Sequence, residues 1–198
     1  MPQLPAQPGA LNQADILYLA PASPTLLREA IAQAAEATFA RFDGLANRLQ
    51  RAHFLAQAAH ETGEFRWLKE MGSDKYLADY ADGDRNYCGR GWLMTTWRPN
   101  YGRAERVLAC NCLNSPEVLQ AYPWAALSAG VYWSDNKLGD LAANDDIKAV
   151  TRWINGGLTH LSARKRYLVK AKAIYGILEG QGGQRQSDRR LRQIRTPL

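Results

Sequence analysis

Apolar positions recur at helical spacing along most of the chain. Leu27, Ile31, Ala34, Ala35, Thr38 and Phe42 trace one helix face, with Ser23 and Pro24 as cap and first-turn proline and Asp43-Gly44 as the break. A second helix is predicted over about 45–62, with Leu45, Leu49, Ala52, Leu55, Ala56 and Ala59 as its inward stripe and Gly63 as its terminator. Its alanine-rich face implies close packing, which places it centrally. Over 63–87 the pattern fails, because Gly63, Gly72, Gly83, Asp74, Asp79, Asp82 and Asp84 interrupt it. The aromatics Phe65, Trp67, Tyr76, Tyr80 and Tyr87 argue that this long irregular segment is ordered and functional. Helical periods return over about 101–108, after Ser115-Pro116-Glu117, over 145–154 and over 162–178. No repeat and no sustained alternation of period two is present. The expected fold is mainly α, with at most a small β-hairpin around 76–92.

Residues 1–13 hold Pro2, Pro5, Pro8 and Gly9 without a period, so the expected division is an N-terminal arm over 1–22, one helical domain over 23–180 and a C-terminal tail over 181–198. A chain of 198 residues, 46% hydrophobic and 22% charged, fits a single core. No apolar run approaches the ~18 residues of a membrane span, and the first residues lack a basic start followed by an apolar stretch, so neither a transmembrane segment nor a secretion signal is expected. Cys88, Cys110 and Cys112 are odd in number and poorly spaced for pairing, so disulfides are not expected to hold the fold. The net charge is +6. Most of it lies in the tail, where Arg185, Arg189, Arg190, Arg192 and Arg195 face Asp188 alone. Such a tail suits an anionic partner, whether nucleic acid or an envelope surface, or is simply a solvated terminus.

The sharpest chemical feature is His60-Glu61-Thr62-Gly63 at the end of the central helix. Glu61 follows Phe54, Gln57 and Ala58 on one helix surface, and both apolar neighbours and the negative helix end disfavour an ionised carboxyl. A protonated carboxyl is what a general acid needs, although an exposed helix-end glutamate fits the same pattern. Cleavage of a glycosidic bond requires a second carboxylate, about 5 Å away as nucleophile or about 6.5 to 9.5 Å away as a base for water. Glu64 lies past the terminator, and Glu70, set among Trp67, Leu68 and Met71, is the better candidate. No metal site is expected: His60-Glu61 begins like HExxH, but residue 64 is Glu, and only His53 and His160 remain. GxSxG and P-loop patterns are absent too.

Three ordered blocks carry a resemblance. FLAQAAHETGEF over 54–65, NYCGRGWLMTTWRPNYGRA over 86–104 and WINGG over 153–157, with Ala163-Arg164 following, resemble glycoside hydrolase family 19, the family of chitinases and phage endolysins, and most closely its compact endolysin-type members. The resemblance covers about 45–178. It implies a lysozyme-like helical fold with a central cleft between two lobes, and inverting hydrolysis without a cofactor. Carried over by position, it makes Glu61 the general acid, Glu70 the base and Thr96 a holder of the attacking water. It places Asn100 on a sugar, and sets Asn155 and Arg164 along the cleft in support of the second glutamate. His60, Gln57, Trp67 and Tyr87 complete the expected substrate-binding set, with Trp67 and Tyr87 as sugar platforms. Trp92, Trp97, Trp124 and Trp153 are expected in the core. Met94 stands where the family usually has glutamine, which removes an amide able to bond an N-acetyl sugar.

These features together point to a monomeric endolysin that cuts β-1,4 bonds between the amino sugars of peptidoglycan strands. It would be made in the cytoplasm and would reach the periplasmic wall by holin release or a secretion machine. The alternatives are a chitinase, a basic nucleic-acid-binding helical protein, disfavoured because the charge sits in the tail, and a catalytically dead wall-binding module, disfavoured by both glutamates.

Overall fold

The computed structural model describes residues 9–72 and 87–177. The tail over 181–198 and much of the hairpin expected around 76–92 lie outside the described residues. Among the described residues eight α-helices follow one another: α1 (Gln13–Leu19), α2 (Arg28–Arg41), α3 (Arg48–Glu61), α4 (Arg98–Leu108), α5 (Trp124–Asp135), α6 (Leu138–Ala143), α7 (Ile147–Asn155) and α8 (Leu161–Ile174). Pairing between extended residues, among those described, is confined to two isolated antiparallel bridges, Lys69 with Arg90 and Arg90 with Thr95.

Helix α3 is the axle, and its packing against α8 is more extensive than that of any other pair of described elements. It begins at Asn47, whose side chain accepts from Gln50 N while the Gln50 side chain accepts from Asn47 N, a reciprocal cap that satisfies two otherwise orphaned donors. Unbroken burial from Ala52 to Ala59 shows that the helix is enclosed on all sides rather than along one stripe. Phe54 is the centre of an aromatic cluster, edge-on to Phe39 and Trp133 at 6.0 and 5.4 Å and tilted against Trp92 at 6.0 Å. Each such pair adds about 0.5 to 1.5 kcal/mol to the area that it buries.

The structure departs from the sequence reading at the start of α2 and in the arm before it. Pro24 opens a 3-10 turn, Thr25–Leu27, and the Ser23 hydroxyl accepts from Arg28 Nε instead of capping the helix. Leu27, expected inside, is exposed. The arm expected over 1–22 contains α1, closed by a capping box between Asn12 and Asp15, with Ile16 and Leu19 fully buried against the domain. Short length hid this helix, since seven residues show barely two turns of periodicity. Cys88, Cys110 and Cys112 are buried free thiols.

Candidate active site

The C-terminal end of α3 is built by its own sequence. The Thr62 hydroxyl donates to Ala58 O and accepts from Phe65 N, both at 2.7 Å, which closes the helix and turns the chain. Gly63 then takes a left-handed φ of 54°, and a Cβ there would lie 2.9 Å from Trp67 Cδ1, so only glycine lets the indole fold back onto the turn. Glu61 projects from the last helical residue. Arg164 of α8, 1% exposed, sets Nη1 2.5 Å from Glu61 Oε1 as an ion pair and donates to Gln57 Oε1. Gln57 Nε2 in turn reaches Thr151 Oγ1 on α7 at 3.3 Å. A chain of buried polar groups from α7, α3 and α8 thereby anchors the inner oxygen of Glu61 and leaves the other oxygen on the open side.

Glu70 arrives from a different segment. Its N–H donates to Gly89 O at 2.7 Å, and its Oε2 accepts from Gly89 N at 3.1 Å. Gly89 is the residue of close approach, since a Cβ there would sit 3.1 Å from both Glu70 Oε2 and Met94 Cβ. The following residues are docked by backbone bonds from Gly91 N to Leu68 O at 3.0 Å and from Trp92 N to Ala125 O at 2.9 Å. Gly91, with φ 77°, lies so close to α5 that a Cβ would meet Ser128 Oγ at 2.6 Å. Arg90 is buried and donates to the Tyr101 hydroxyl at 2.9 Å, which donates to Cys88 O at 2.6 Å. Burial raises the Tyr101 pKa well above its ordinary value, so the hydroxyl remains a donor at any physiological pH.

These segments enclose one cleft. A cavity of about 430 Å³ is lined by Glu61, Glu70, Trp67, Lys69, Met94, Thr96, Ile154 and Asn155. Met94, Thr96 and Ile154 also line an adjoining cavity of about 430 Å³ that runs past Asn100, Tyr132 and the Arg103–Asp135 ion pair. At the other end, Trp67, Lys69 and Glu70 lead into a third cavity bounded by Arg66, Met71 and Gln120. The carboxylates therefore stand at the middle of three adjoining cavities that, among the described residues, share their lining as one groove. Thr96 Oγ1 donates to Met94 O at 2.7 Å, so toward water it can only accept. Asn100 donates from Nδ2 to Thr96 O at 2.8 Å, which braces the same turn. Next to it, Trp97 holds φ 76°, a rarely populated backbone state for a bulky residue at the groove wall.

The groove thus gathers Glu61, Glu70, Thr96, Trp67, Asn100 and Asn155 from four separate stretches of chain. Four other expected residues lie elsewhere. Gln57 and Arg164 are buried beneath Glu61, because Gln57 is one helical turn deeper on the same face, and Arg164 supports the first glutamate, not the second. Tyr87 is buried against Tyr101 with its hydroxyl donating to Leu113 O at 3.0 Å, so it is no sugar platform. His60 turns toward α8, 5.5 Å from the His160 ring and 6.4 Å from that of Tyr167. Glu64 is structural, accepting from Ala22 N at 2.6 Å and from the Tyr167 hydroxyl at 2.9 Å. Trp153, expected in the core, is 55% exposed. Lys69 and Tyr132 were invisible as site residues in the sequence, since neither falls within a recognisable motif. Among the described residues, no group of His, Cys, Asp and Glu could hold a metal ion, and no helix is long and apolar enough to cross a membrane.

No family model matches the chain. It is 33% identical over 141 residues to an endochitinase of Arabidopsis thaliana, covering 69% of this chain and 50% of that protein. With Endochitinase 1 of Theobroma cacao it shares 32% identity over 110 residues, covering 46% of this chain and 34% of the relative. The chain thus spans about half the length of the first of these relatives or less. Its structure resembles that of a bacterial family 19 chitinase with TM-score 0.68 at 20% identity, covering 87% of this chain and 98% of the other. Chitinase C from Streptomyces griseus HUT6037 superposes with TM-score 0.65 at 24% identity, covering 84% and 77% of the two chains.

Proposed function

Because the chain belongs to glycoside hydrolase family 19, we propose that it hydrolyses β-1,4 bonds between N-acetylated amino sugars by an inverting, two-carboxylate mechanism, with the glycan strands of bacterial peptidoglycan as substrate. The observation that carries this reading is the convergence of Glu61, Glu70 and Thr96 on one cavity that adjoins a further cavity on either side. Glu61, fixed by Arg164 through its inner oxygen, presents the other oxygen and its proton to the leaving glycosidic oxygen. Glu70 removes a proton from a water on the opposite face of the sugar. The Thr96 hydroxyl, its own hydrogen committed to Met94 O, accepts the water's second hydrogen and so aims a lone pair at the anomeric carbon. Every step uses side chains alone.

Chitin is the second reading. The relatives' names favour it, whereas Met94 in the groove wall favours a substrate that does not depend on an amide there. Digestion of purified peptidoglycan strands and of chitooligosaccharides, with products identified by mass spectrometry, tests both. New reducing ends on muramyl-containing fragments are expected, and release from chitooligosaccharides alone would move the assignment to chitinase. Glu61→Gln, nearly isosteric but unable to deliver a proton, is expected to lose at least about 10²-fold in rate with its thermal midpoint little changed. Retention of more than about a tenth of the rate would remove Glu61 from the acid role.

A further inference from the structure

One end of the groove carries an unused charge pattern. Arg66, Trp67 and Lys69 follow the catalytic helix directly, and they are tied to it, because Arg66 N and Trp67 N both donate to Thr62 O, at 3.1 and 3.0 Å. Trp67 is 47% exposed, and its ring is backed by the Gly63 turn and by the Arg66 guanidinium 5.9 Å from its centroid. Arg66 itself is oriented by donation from Nε to Gly63 O at 2.7 Å, which leaves its terminal nitrogens toward solvent. Neither Arg66 nor Lys69 forms an ion pair with any described residue, in contrast to Arg103, Arg164 and Lys172. Lys69 borders both the carboxylate cavity and the outer cavity, and Trp67 lies between them.

We propose that Arg66, Trp67 and Lys69 form a subsite that takes an acidic sugar, with the indole stacking on the sugar ring and the two cations meeting its carboxylate. The chemical class is a 3-O-lactyl amino sugar, which differs from N-acetylglucosamine by that carboxylate. The inference rests on the glycan-hydrolase reading and names which sugar is preferred at one end of the groove. Charge gives the reason. Two cations on the lip, neither in an ion pair with any described residue, can meet the lactyl carboxylate, whereas a neutral chitin strand has no use for them. Trp67 supplies stacking that either sugar can use, which leaves Arg66 and Lys69 to set the preference.

The test is read as binding, so that it stands apart from turnover. In the Glu61→Gln protein, dissociation constants are measured at low salt for a peptide-free glycan strand that carries lactyl carboxylates and for a chitooligosaccharide of equal length. The acidic strand is expected to bind about 3- to 10-fold more tightly, with the preference shrinking as salt rises to about 0.15 M. Lys69→Gln added to that background should remove most of the preference, and Lys69→Arg should keep it. Equal affinity for the two ligands, or a preference that survives Lys69→Gln combined with Arg66→Gln, would overturn the proposal. Failure of the wild-type protein to cleave either ligand would instead overturn the hydrolase reading, and the binding ratio would still report on the subsite.

Discussion

Glu61 owes its position to groups that never meet solvent. Removing the Arg164 guanidinium would leave the inner Glu61 oxygen buried without its ion-pair partner and the Gln57 carbonyl buried without its donor. Arg164→Met is therefore expected to destabilise the fold by about 3 kcal/mol, measured by urea unfolding, as well as to reduce activity. Its neighbour His60 gives a different signature. Burial first, then the charges of Arg164, His160 and Arg166, push His60 down from 6.5 to about 4. Between these two values the unfolded chain binds a proton that the folded chain refuses, so this contribution to stability is complete above about pH 6.5 and declines as pH falls toward 4. Unfolding free energies of wild type and His60→Asn across that range should show a shallower acid-side slope in the variant, and identical slopes would place the titration elsewhere. His53 is tied differently, with its Nε2 2.8 Å from Asp145 Oδ1. Burial raises the Asp145 carboxyl, but the bonds from His53 and Lys172 outweigh it and hold the group below its ordinary value.

Short elements here are held by tertiary contact more than by their own length. Among the described residues, the segment around Gly89 and Gly91 forms only isolated bridges, and it is fixed by single bonds to Leu68, Glu70 and α5. Its two glycines act differently. Gly91→Ala would combine a left-handed φ with contact on α5 and should lower stability. Gly89→Ala is the more informative change, because the added methyl meets the Glu70 carboxylate and Met94 at 3.1 Å and can be relieved by moving Glu70. A fall of about 10-fold in kcat with little change in thermal midpoint is expected. An unchanged kcat would show that Glu70 has room to spare. At α7 the sequence carries its own stop: Gly156 takes φ 71° as the C-cap and leaves Asn155 as the last helical residue at the groove.

At the scale of the whole molecule, α1 straps the two ends of the described chain together. Ile16 and Leu19 are buried, Leu19 O accepts from Lys170 Nζ on α8 at 3.3 Å, and Glu64 clamps Ala22 to Tyr167. Burial and the Glu64 carboxylate push the Tyr167 hydroxyl up to about 12, which keeps it a donor in that clamp. Deleting residues 1–22 should therefore cost roughly 3 to 6 kcal/mol from Ile16 and Leu19 alone, read by chemical denaturation. A free arm would cost nothing. The sequence by itself determined the helical class, the position of α3 at the centre and the turn that follows Glu61, because alanine content, apolar period and a glycine stop are local signals. Motif order also led to Glu61, Glu70 and Thr96, which the fold gathers at one cavity. Only the tertiary structure decided which oxygen of Glu61 is anchored and by what, since Gln57, Thr151 and Arg164 come from three helices whose approach no local pattern encodes. The same holds for Tyr87, whose aromatic character suited a sugar platform or a core position equally until packing against Tyr101 chose the core. Lys69 gained its place at the groove because the chain folds back against Arg90, a contact across 21 residues that charge and spacing leave undetermined.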